Sequence, residues 1–239
     1  MSGSRALHRL LLATERTELD RGAERVAIAL AHSLGTSLSI VLPFATNEEL
    51  LCTEPTLALE TEKKVAADLR ALVNDARAHG VVATPTVRRG ALLWQEIVAA
   101  AAEGAELLLT RRVGRRGLLA RLLVGEMVSQ VAAHAPCPVL MVPVEATGLW
   151  TRRVIVLAVA GRRVEAVAAA LAAVSGARVD QRAGGLAEAA SAAGAEDLLV
   201  HGLSTEQVAT GRLAQEIVAS IGVAPCPVVL VGPAQRVEA

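Results

Sequence analysis

Apolar residues come in two alternating rhythms along this chain. Short unbroken runs such as Leu10–Ala13, extended to Thr14, lack helical spacing and predict buried strands. Between them, apolar residues recur every three to four positions. Val26, Ala27, Leu30 and Leu34 share one face of a helix expected over about 20–34, which Gly35 stops. The pattern continues with a strand over Leu38–Phe44, a polar loop over 46–55 that holds Cys52, and a long helix over about 56–79 ended by Gly80. Then follow a strand over 81–87, a helix over 91–102, a strand over 106–110, a helix over 118–134 stopped by Pro136 and Pro138, and a strand over 139–142. Strands alternating with helices imply a parallel sheet covered on both faces, with right-handed crossovers. Five strands and four helices fit into residues 1–146.

The rest of the chain repeats this pattern in shortened form. Strands are expected over 153–159, 177–182 and 197–201, and helices over 164–174, 186–193 and about 206–221. The string Ala224-Pro225-Cys226-Pro227-Val228 copies Ala135-Pro136-Cys137-Pro138-Val139 at an offset of 89 positions. Each closes a helix and opens a strand, which marks a duplicated unit. The reading is therefore two α/β units, 1–146 and 151–239, joined by a linker with Gly148 and Trp150. The second unit has lost about one strand–helix pair.

Composition narrows the function classes. The chain has 239 residues, and 53% of them are apolar, enough for packed cores. Twenty-four basic residues balance 24 acidic ones, so no global field draws the chain to nucleic acid or an anionic membrane. Phe44, Trp94 and Trp150 are the only aromatic rings, too few for a base-stacking platform. Three scattered cysteines make no disulfide framework and no C-x-x-C zinc motif. The opening Met-Ser-Gly-Ser-Arg lacks the apolar core of a signal peptide, and no apolar stretch is long enough to span a membrane. A cytoplasmic protein is expected. No phosphate-loop, zinc-protease or nucleophile-elbow motif is present, so an enzyme is not expected.

The closing string Gly125–Val142 (G-E-M-V-S-Q-V-A-A-H-A-P-C-P-V-L-M-V), the opening L-L-L-A-T-E and the turn Val87-Arg88-Arg89-Gly90 resemble the universal stress protein family in its tandem form. The resemblance covers nearly all of 5–146 and, more weakly, 151–233. It implies an α/β doubly wound sheet of strand order 3-2-1-4-5 in each unit. It also implies last strands, here 139–142 and 228–231, that exchange between units. Ligands of such sheets bind at the strands' carboxyl ends, at the switch between the first and fourth strands. By resemblance, an adenine-nucleotide site (AMP, ADP or ATP) would comprise Ala13, Thr14, Glu15, Pro43, Thr110, Arg111, Arg112, Gly114, Arg115, Gly125, Glu126 and Met127.

Nucleotide-binding members carry G-x2-G-x9-G-[S/T] after the fourth strand. Here Arg111 stands at the first glycine, Gly114 fits the second, ten residues separate it from Gly125, and Glu126 replaces Ser or Thr. Glu15 replaces the usual Asp of the first loop. The arginines at 111, 112, 115, 116 and 121 favour phosphate, whereas Glu126 would repel it. The same basic run also fits a solvated helix face, and Thr14 and Glu15 also fit a helix cap. Cys137, Cys226, His134 and His201 read as structural. The second unit lacks an acid in its first loop and reads as a scaffold. Two functions follow. One is a stress-response sensor or adaptor that binds an adenine nucleotide in the first unit. The alternative is a ligand-free dimerisation and protein-interaction module. A homodimer and a protein partner of unknown identity are expected, without nucleic acid or membrane.

Overall fold

The computed structural model describes residues 7–45, 55–112, 127–157, 161–208 and 211–233. Among these residues, nine strands form one sheet. Strand β1 (Leu10–Ala13) leads through a 3-10 turn (Glu18–Asp20) into α1 (Arg21–Leu34). There follow β2 (Leu38–Ala45), α2 (Pro55–Ala78), β3 (Ala83–Gly90), α3 (Leu93–Ala102), β4 (Leu107–Arg111), helix α4 over 127–134, and β5 (Val139–Val142). The second half supplies β6 (Arg153–Leu157), α5 (Arg162–Ser175), β7 (Arg178–Arg182) and α6 (Leu186–Ala192). It closes with β8 (Asp197–Gly202), α7 (Thr205–Val208), α8 (Gln215–Val223) and β9 (Val228–Val231).

The sheet order is β3-β2-β1-β4-β5-β9-β8-β6-β7. Its first five strands carry the expected 3-2-1-4-5 order. The last four run β9-β8-β6-β7, the order 5-4-1-2 seen from the seam, and no counterpart of β3 occurs among the described residues. Every pairing is parallel except β5 with β9, which is antiparallel.

That seam corrects the expected strand exchange. Each closing strand stays beside its own fourth strand, β5 on β4 and β9 on β8. The free flanks then pair with each other and complete both strands' ladders mid-sheet. The A-P-C-P-V strings therefore open central strands.

Alternation along each strand divides the core into two layers. Leu10, Leu12, Leu107, Leu109, Leu140, Val154 and Val229 face α1, α2 and α5. Leu11, Leu108, Val139, Met141, Ile155, Leu199 and Val228 face α3, α4, α6 and α8. Both layers run through the seam. Trp150, expected in a linker, is 1% exposed and belongs to the first layer, where its Nε1 donates to Leu171 O (3.2 Å).

Two prolines sit in strands without loss of ladder bonds. Leu38 N donates to Val82 O, so even-numbered β3 residues bond to β2 and Pro85 faces the open edge. Pro43 shares the flank of Val41, whose carbonyl accepts from Thr14 N, and β1 ends at the Ala13–Val41 pair. The single helix expected over 206–221 is broken into α7 and α8. Gly211 is left-handed (φ 69°), and Leu213 N donates to Ser129 Oγ (2.5 Å) instead of to its own helix.

Candidate functional site

At the carboxyl ends of β1 and β4, the switch point of the first half, the chain brings Ala13, Thr14, Glu15, Thr110 and Arg111 together. Ala13 and Thr14 close β1 and are buried, and Thr110 and Arg111 close β4 and are buried too. Leu10 pairs with Leu107 and Leu12 with Leu109, so the two strand ends lie side by side. Pro43 lies one strand away, on β2 in register with Arg88. Met127 opens the described part of α4. Gly114, Arg115, Gly125 and Glu126 lie outside the described residues, as do Arg116 and Arg121.

Arg111 dominates this crest. Its side chain is 8% exposed and turns toward the start of α1. Nη2 donates to Glu15 Oε1 (2.8 Å), and Nη1 donates to Asp20 Oδ2 (3.2 Å) and Thr17 Oγ1 (3.1 Å). Asp20, 1% exposed, also accepts from the backbone N and Oγ1 of Thr17 (2.8 and 2.7 Å), a capping box at the entry to α1. A second network lies beside it. Thr14 Oγ1 donates to Glu24 Oε1 (2.8 Å) and accepts from Arg16 N (2.9 Å), while Arg16 Nη1 closes on Glu24 Oε2. Arg16 holds a left-handed backbone (φ 58°), uncommon outside glycine.

This arrangement has a chemical consequence. Among the described residues the crest sets three carboxylates, Glu15, Asp20 and Glu24, against two guanidinium groups, Arg16 and Arg111. Glu15, a carboxylate expected in the nucleotide site, is held by Arg111, and the arginine expected to favour phosphate is held by two carboxylates. Withdrawing Arg111 would leave Asp20 buried and unpaired, at a cost of about 3–5 kcal/mol.

The register shows where Arg111 stands. Arg111 pairs with Val142, and Gly202 pairs with Val231, the residue one repeat offset beyond Val142. Arg111 thus fills the strand position that the second half gives to glycine. The next residue follows suit. Arg112 N donates to Val142 O (2.9 Å) and Leu203 N to Val231 O (2.8 Å), so Arg112 stands where the second half has a core leucine. Its guanidinium faces away from the crest. Nη1 donates to Ala224 O and to Cys226 O (3.3 Å), the turn that opens β9. Burial pushes the Arg112 guanidinium below its ordinary pKa. The structure therefore places one expected phosphate ligand inside a carboxylate cluster and the other on the seam between halves.

Residues 16, 17, 20 and 24 are the part of the cluster that sequence reading missed. The signal was present in Thr17-x-x-Asp20 ahead of an apolar helix, a capping pattern. The residues read as structural are placed as follows. Burial pushes the Cys137 thiol up to about 11 and the Cys226 thiol up to about 12. His134 tilts against Trp94 with ring centroids 4.8 Å apart. His201 is 5% exposed, and neither ring nitrogen has a partner among the described residues. Among those residues, no three of His, Cys, Asp and Glu converge as a metal-ligand group, and no helix is long and apolar enough to cross a membrane.

A family model described as the universal stress protein family matches residues 6–143. No curated protein matches the chain. Among solved structures, one of a protein of unknown function from Pseudomonas aeruginosa PAO1 aligns over 98% of this chain and 95% of its own, at 14% identity and a TM-score of 0.69. A putative universal stress protein from Pseudomonas aeruginosa UCBPP-PA14 aligns over 98% and 96%, at 15% identity and a TM-score of 0.66. A universal stress protein from Archaeoglobus fulgidus DSM 4304 aligns over 95% and 97%, at 13% identity and a TM-score of 0.67. At these identities the likeness is one of fold.

Proposed function

The chain belongs to the universal stress protein family, and we propose that it is a cytoplasmic stress-response adaptor that works through protein contacts, without catalysis, its first-half nucleotide crest closed by Arg111. The observation that carries this reading is the ion-pair cluster of Arg111 with Glu15 and Asp20. Among the described residues it occupies the switch point with the chain's own side chains and sets three carboxylates there against two guanidinium groups. The proposed partners are a second copy of this chain and a protein of unknown identity.

A second reading, adenine-nucleotide binding at the same crest, is favoured by one observation. Arg16 keeps a left-handed backbone in the loop after β1, and such conformations concentrate at ligand sites. Calorimetry with AMP, ADP and ATP separates the two. The closed-crest reading expects no heat of binding in the wild type at millimolar nucleotide. Submillimolar binding by the wild type would overturn it in favour of the nucleotide sensor.

A further inference from the structure

On the α3 side of the sheet, a cleft of about 210 Å³ runs from Arg9, just ahead of β1, across β2 to Thr86 and Arg88 toward the carboxyl end of β3. The register sets Ser39 beside Thr84 and Val41 beside Thr86, and Arg88 follows Thr86 on the same face of β3. Ser37 extends the row on the β2 side. None of these four hydroxyls makes a side-chain hydrogen bond among the described residues. The floor is apolar, from Leu11 and Val41 of the core layer. The far wall is the carboxyl end of α3, with Glu103 and Gly104.

Two guanidinium groups flank the hydroxyl row. Arg88 is paired with Glu103 on one side, yet its Nε is buried without a partner. Arg9 lies directly over Gly104, where a Cβ would overlap Nη1; Gly104 is also left-handed (φ 109°). The Arg9 guanidinium has no hydrogen-bond acceptor among the described residues. Among the described residues Glu103 is the one acid that lines the cleft, and Glu106 lies beside Arg9 just outside it.

We infer that this cleft binds a phosphorylated polyol of sugar-phosphate size, its phosphate on Arg9 and its hydroxyls on Ser39, Thr84 and Thr86. Guanidinium groups match a phosphate's oxygens in forked geometry. Serine and threonine hydroxyls both donate and accept, as a polyol requires. No aromatic ring lines the cleft, so a nucleobase would have nothing to stack on. The site is separate from the crest closed by Arg111.

Amide NMR titration of the full chain tests this with glucose 6-phosphate, glucose, inorganic phosphate and AMP as probes. Glucose 6-phosphate is expected to bind with Kd below about 1 mM and to shift the amides of residues 37–39, 84–88 and 103–105. Glucose, phosphate and AMP should each bind at least about tenfold more weakly. Arg9→Ala and Thr84→Val should each weaken the sugar phosphate by about tenfold, with unchanged amide spectra elsewhere, and Arg111→Gly should leave it unaffected. Shifts confined to other residues, equal affinity for phosphate alone, full affinity in both cleft variants, or no shifts up to about 10 mM would each overturn the assignment.

Discussion

Leu140 faces Val229 across the antiparallel seam, and the two residues are 89 positions apart, the same offset that separates the A-P-C-P-V strings. Around them, Val139 pairs with Leu230 and Met141 with Val228. Shifting any of these residues by 89 gives the partner of its mirror position. A local two-fold axis therefore passes through the Leu140–Val229 pair, and the duplication in sequence becomes a symmetry in space.

Both residues are fully buried in the layer that runs through the seam. One sheet and two continuous layers should unfold together. In urea, tryptophan fluorescence and far-ultraviolet circular dichroism are expected to trace one coincident transition. Leu140→Ala should lower stability by about 2–5 kcal/mol for the whole chain. Two separated transitions, with only one moved by the substitution, would contradict this.

Arg112 ties the end of β4 to the turn that opens β9. Hydrogen bonds to a charged group contribute about 1.5–3 kcal/mol each, and Arg112→Ala should lose that order of stability. Urea unfolding at neutral pH measures it. A loss within about 0.5 kcal/mol, the range of an ordinary surface substitution, would show that the contact carries little.

Arg153 and Asp197 form a bidentate pair at the start of β6 and β8, with Nε to Oδ1 at 3.0 Å and Nη2 to Oδ2 at 2.6 Å. Burial pushes the Asp197 carboxyl up, but the hydrogen bonds from Arg153 and from Gly194 N outweigh it and hold the carboxyl below its ordinary range. The folded pKa lies below the unfolded one. The resulting stability is complete above pH ~4 and declines as pH falls through the folded value. Asp197→Asn should cost about 1.5–3 kcal/mol at pH 7 by removing the bidentate partner of buried Arg153 and leaving it only Asp180, at 3.7 Å. Thermal melts of wild type and variant across pH 2–7 follow the effect.

His201 is the one buried histidine of the five; His8, His32, His79 and His134 are exposed. Burial lowers its pKa, and Glu216 opposes the shift without reversing it. The folded chain resists a proton that the unfolded chain accepts near pH 6.5. Its contribution is therefore constant above that pH and falls as pH drops toward the folded value. His201→Leu should remove this slope between about pH 5 and 7. An unchanged slope in the variant would assign it to other groups.

The apolar rhythm and the repeated A-P-C-P-V string, read alone, determined most elements, the parallel sheet and the shortened second half. These are local properties: strand and helix periods differ, and each helix end carries its own Gly or Pro. The strand Val139–Val142 was legible to the residue. Its partner was not, because two identical edges can pair with each other or exchange, and only packing in three dimensions selects between them. The break at Gly211 was hidden for a similar reason, since the donor at Leu213 finds its acceptor, Ser129, on α4. The crest shows the same division. The sequence placed Thr14, Glu15 and Arg111 at adjoining strand ends, which follows from strand order. Which way each arginine turns depends on acceptors far along the chain: Asp20 lies 91 residues from Arg111, and Ala224 lies 112 residues from Arg112. Tertiary structure decided that one arginine closes the crest and the other joins the halves, because a guanidinium removed from water settles where buried acceptors can hold it.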